Sequence, residues 1–91
     1  MTNKIKRAVV RVQTGVRLES RLLKVLKGLA ELKDMTLGDL LEGMALHALE
    51  GRSPFSKETL AQIVALKKIY GLDLAAKDAH QLTEDPDRGA S

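Results

Sequence analysis

The hydrophobic period of this chain changes once, near residue 18. Up to that point apolar and polar positions alternate. Ala8, Val10, Val12, Thr14, Val16 and Leu18 fall on one side, and Arg7, Val9, Arg11, Gln13, Gly15 and Arg17 on the other. Period two predicts a strand, best defined over 12–18, with one greasy face and one cationic face. A single strand cannot satisfy its own backbone donors and acceptors, so the expectation is that it pairs with its copy in a second chain. From Glu19 the period becomes 3.6 and predicts a helix to about Lys33. Leu22, Leu23, Leu26, Leu29 and Ala30 form its apolar face, flanked by Val25 and Leu32, while Arg21, Lys24, Lys27 and Glu31 lie opposite. Gly28 interrupts that helix at a cost of about 1 kcal/mol relative to Ala, for which a close helix crossing is the expected reason.

Asp34-Met35 makes a short connection to a second helix, predicted from Leu37 to about Glu50 with Thr36 as N-cap and Gly51 as its stop. Its core face is Leu37, Leu40, Leu41, Met44 and Ala48. Leu46 and Leu49 fall off that stripe and call for cover by another element. A third helix over 57–70 is bounded by Ser56 as N-cap and Gly71 as stop, with a Phe55–Leu60 staple at its start and Leu72 beyond its end. Its apolar side reads Leu60, Ile63, Val64, Leu66 and Tyr70. The expectation is that it packs over Leu46 and Leu49 or over Val25 and Leu32. A short fourth helix from Leu74 to Leu82, capped by Asp73, completes the pattern. The chain thus divides into a basic arm (1–11), a strand-helix-helix unit (12–50), a helical extension (51–82) and a polar tail (83–91) expected to be disordered.

Composition narrows the chemistry. Ninety-one residues make one domain, and without cysteine neither a disulfide nor a thiolate metal site can form. One Phe, one Tyr and no Trp leave no stacking platform for single-stranded nucleic acid. No apolar run approaches the roughly 20 residues of a membrane span, and no signal-peptide core is visible, so a cytoplasmic protein without membrane partners is expected. The net charge of +3 is unevenly placed: residues 1–17 carry Lys4, Lys6, Arg7, Arg11 and Arg17 and no acid. That concentration is the footprint of an edge that contacts phosphates. His47 and His80 stand in no metal-ligand spacing, and no phosphate loop or nucleophile constellation can be assembled. No enzyme activity, cofactor or metal is expected.

A strand, a helix, a tight turn and a second helix within roughly 40 residues resemble the ribbon-helix-helix family of Arc/MetJ/CopG-type repressors. The resemblance covers residues 12–50 and rests on the alternation Gln13-Thr14-Gly15-Val16-Arg17-Leu18, the pair Leu22-Leu23, the face Leu26, Leu29 and Ala30, the hydroxyl residue Thr36, and Leu40-Leu41 with Met44. It implies a mainly α fold in which the strands of two chains pair antiparallel across a homodimer, with one or two extra C-terminal helices. It also implies that the paired ribbon enters the major groove of double-stranded DNA. By position, Gln13, Gly15 and Arg17 would face base edges, and Thr36, Leu37 and Gly38 would clamp a phosphate at a helix N-terminus. Two positions depart from the pattern: Gly15 brings no reading side chain, and Asp34 stands where the family often has glycine. Lys4, Lys6, Arg7 and Arg11 would neutralise phosphates, and Val16, Leu18, Leu22, Leu26, Leu40, Leu41 and Met44 would form the dimer core. The expected function is a homodimeric, sequence-specific DNA-binding repressor or regulator. The alternatives are an antitoxin whose C-terminal extension binds a toxin protein, and an interaction module without DNA binding.

Overall fold

The computed structural model describes residues 6–85. Three helices follow one another: α1 (Ser20–Leu32), α2 (Leu37–Leu49) and α3 (Lys57–Tyr70), with a single 3-10 turn at Ala76–Asp78. The N-terminal ribbon is corrected by this architecture. Among the described residues there is no strand, and 6–18 run without regular secondary structure. The alternation supplies no neighbour: among the described residues no other stretch offers a ladder of donors and acceptors, and every residue of 6–18 remains exposed. The fold is therefore all-α and not a ribbon-helix-helix.

Each helix starts at a residue that accepts one of its free amides. The Glu19 carboxylate accepts from the Leu22 amide at 2.8 Å, Thr36 Oγ1 from Asp39 at 3.0 Å, and Ser56 Oγ from Thr59 at 3.2 Å. The three C-termini share a second device. Asp34, Gly51 and Gly71 adopt left-handed φ values of 59°, 72° and 68°. The next amide in each case (Met35, Arg52, Leu72) then reaches back to Ala30, His47 and Lys67 carbonyls at 2.9–3.0 Å. An aspartate fills the first of these turns in glycine's place, as a short polar side chain tolerates this conformation better than most.

α1 is the hub. Val25, Leu26, Leu29 and Ala30 are its buried residues, joined by Leu40 of α2 and Leu66 of α3. Leu22, Leu37, Leu41, Met44, Phe55, Ile63 and Leu72 pack around that centre, half-buried. Gly28 marks the crossing of α1 and α3, since a Cβ there would lie 3.0 Å from a Leu66 methyl and 3.6 Å from the Tyr70 ring. At the other end of the crossing Arg21 donates to the Gly71 carbonyl at 3.0 Å and pairs with Asp73 at 3.1 Å. The start of α1 is thereby tied to the end of α3.

α3 is turned differently from the expected wheel. Leu60 and Val64 face solvent, whereas Thr59 is 6% exposed and Ile63 and Leu66 face α1. Burial of Thr59 is tolerable because its Oγ1 accepts a hydrogen bond from Ser56 Oγ at 3.1 Å. Val25 is buried in the core, whereas Leu32, Leu46 and Leu49 stay exposed, and no Cα of α2 comes within 8 Å of one in α3. Ala48, expected on the α2 core face, is exposed too. The fourth helix reduces to its 3-10 turn, in which Asp78 accepts from the Ala75 amide at 2.8 Å.

Candidate nucleic-acid interface

The segment before α1 carries basic residues with no acid among them over 6–17. Lys6, Arg7, Arg11, Gln13, Gly15 and Arg17 are all exposed, and a Cβ at Gly15 would meet nothing within 4 Å. Lys4 lies outside the described residues. The segment bears no acid of its own, yet two of its arginines are met by carboxylates from distant elements. Arg11 donates two hydrogen bonds to Glu42 of α2, from Nε at 2.8 Å and from Nη2 at 2.9 Å. Arg17 Nη2 pairs with Glu84, beyond the 3-10 turn. The Glu42 contact, with a smaller contribution from Asp39, holds the Arg11 guanidinium more firmly protonated. The same hydrogen bond, with the charge of Arg11 adding to it, holds the Glu42 carboxyl below its usual range against the opposing effect of desolvation.

Arg11 brings the basic segment beside α2, where the other expected phosphate contacts lie. Thr36 is exposed at the N-cap and its hydroxyl is engaged by Asp39, Leu37 is half-buried, and Gly38 is exposed. Amides of a first helical turn carry a partial positive charge. Asp39, in that same turn, opposes an anion there.

The residues expected to make a dimer core divide. Leu26 and Leu40 are buried within one chain, and Leu22, Leu41 and Met44 are half-buried around them. Val16 remains largely uncovered, as do Val10 at 92% and Val12 at 82% exposure, while Leu18 is partly covered.

A groove of about 240 Å³ lies between α1, α2 and the start of α3, with Leu29, Leu40, Met44 and Phe55 at its floor and Lys33, Asp39 and His47 along its rim. His47 Nδ1 is 2.7 Å from the Gly43 carbonyl, a bond within its own helix. Among the described residues no group of His, Cys, Asp or Glu could hold a metal ion, and no helix is long and apolar enough to cross a membrane.

Sequence reasoning identified the arginines but not their partners. Glu42 and Glu84 stand 31 and 67 residues from the groups they meet, and no local pattern signals pairing over such separations. Comparison with protein-family models, curated proteins and solved structures finds no match to this chain. The fold and surface together define a small three-helix protein preceded by an exposed cationic segment.

Proposed function

We propose that this chain is a cytoplasmic DNA-binding regulator that acts as a homodimer, its N-terminal segment lying along the duplex as a basic arm. The observation that carries the reading is an exposed, acid-free stretch holding Lys6, Arg7, Arg11 and Arg17 beside the exposed start of α2. Lys6, Arg7 and Arg11 neutralise phosphates and give affinity without sequence information. Arg17 and Gln13, both exposed on the same segment, are the groups for reading base edges. Basic arms of this kind reach DNA grooves without belonging to a folded element. The ion pairs to Glu42 and Glu84 are exposed and so weak enough for phosphates to displace.

A second copy is called for by apolar surface that one chain leaves bare. Val10, Val12 and Val16 on the segment and Leu46 and Leu49 on α2 are large side chains with no cover. Few apolar residues are buried in one chain, and cores of this size commonly need a partner. The same bare surface supports a second reading, an interaction module that docks another protein. The antitoxin reading loses ground because Leu66 of the C-terminal part is already buried against α1 rather than held free to wrap a toxin.

Selection of bound sites from a random-sequence pool tests the proposal. Arg17→Ala should abolish preference for the selected site. Lys6→Ala should weaken binding to all duplexes alike and reduce the salt slope by about 1. Unchanged binding of the Arg17 variant to selected and random duplex would rule the mechanism out.

A further inference from the structure

The charge on the N-terminal segment is not answered from within it. Every carboxylate that meets it comes from elsewhere, and the one on Arg17 belongs to a chain end rich in acid: Glu84, Asp85 and Asp87 lie within four residues. A carboxylate offers a guanidinium the same kind of oxygen acceptors as a phosphodiester. The two arginine pairs differ in what carries the acid. Glu42 is fixed on a helix and meets Arg11 with both oxygens. Glu84 sits on a stretch without regular structure after the 3-10 turn, so it can leave Arg17 without disturbing a helix. Both partners of that pair are mostly exposed, at 81% and 61%, so water and competing anions reach it freely.

We propose that Glu84 competes intramolecularly with DNA for Arg17, making the C-terminal stretch a brake on the chain's own DNA binding. The inference rests on the DNA-binding reading above. A tethered acid competes at a high effective concentration, so even a weak pair taxes every binding event. Screening weakens the pair as salt rises, and the brake is strongest at low ionic strength.

The test measures fluorescence anisotropy of a labelled random-sequence duplex at low and moderate salt with four full-length variants. These are Glu84→Gln, Arg17→Gln, the double variant, and Glu58→Gln as a control with the same change in net charge on the exposed start of α3. The expected result is that Glu84→Gln binds about two- to fivefold tighter than the unaltered protein at low salt, with the gain shrinking as salt rises. Glu58→Gln should gain less, and the Glu84 effect should vanish in the Arg17→Gln background. Equal gains for Glu84→Gln and Glu58→Gln, or a gain that survives loss of Arg17, overturn the brake while leaving the DNA-binding reading standing. No binding by any variant at low salt overturns both.

Discussion

Leu29 is 1% exposed at the centre of the core and is the largest side chain fully enclosed there. Leu29→Ala should destabilise the fold by about 2–5 kcal/mol, read as a fall in the urea midpoint. Gly28, one residue earlier, faces the opposite constraint. Its place against the Leu66 methyl leaves 3.0 Å for a Cβ, so Gly28→Ala gains helix propensity but crowds the crossing. Gly28→Val adds two further methyls and should cost about 1–3 kcal/mol by overpacking. Gly43 has nothing within 4 Å of its missing Cβ, so Gly43→Ala should stabilise by up to about 1 kcal/mol. The contrast between the two glycines in thermal melts checks the packing directly. Glu19 adds a pH dependence: burial raises its carboxyl, but the Leu22 amide and Arg21 outweigh that and leave it below the usual range. A carboxyl lowered in the folded state contributes stability above its unfolded value near 4.3 and loses it as pH falls through the folded one. Glu19→Gln should therefore flatten the acid limb of stability against pH.

At the scale of elements, the helix ends were legible almost to the residue because they depend on local chemistry. Thr36 and Ser56 accept amides three residues on, and Gly51 and Gly71 sit in the left-handed region their sequence positions predict. What was not legible depends on partners. Val12, Thr14 and Val16 alternate as a strand does, but alternation says which side chains share a face, not whether a second strand exists to bind the backbone. The face of α3 was misjudged for a related reason. Leu60 and Val64 outrank Thr59 in hydrophobicity, yet contact with Gly28 fixes the rotation of the helix, and the Ser56 hydroxyl allows Thr59 to go inward. Of the candidate interface, the cations could be read from the sequence; the acids that meet two of them could not. The turn after α1 gives a test at this scale. Asp34→Val should lose about 1–2 kcal/mol because a β-branched residue resists a φ of 59°, whereas Asp34→Gly should be tolerated.

For the whole molecule, the radius of gyration of 15.3 Å exceeds the roughly 12 Å of a compact domain this long. The described segment before α1 does not close over the core, the stretch after α3 adds Leu72 to it, and large apolar side chains stay outside it. In the proposed homodimer, sedimentation should give about twice the 10.0 kDa chain mass, and Leu49→Lys should shift the population to a monomer that keeps its helical signal. A monomeric unaltered protein at high concentration would count against self-association. The arrangement of the helices has a further consequence. Because the close backbone approaches of both α2 and α3 are to α1 and none joins α2 to α3, either can swing away with little pull on the other. Amide protons should accordingly exchange with solvent in tiers, those of α2 first and those around Leu29 last, so that the molecule opens like a book whose spine is the helix starting at Ser20.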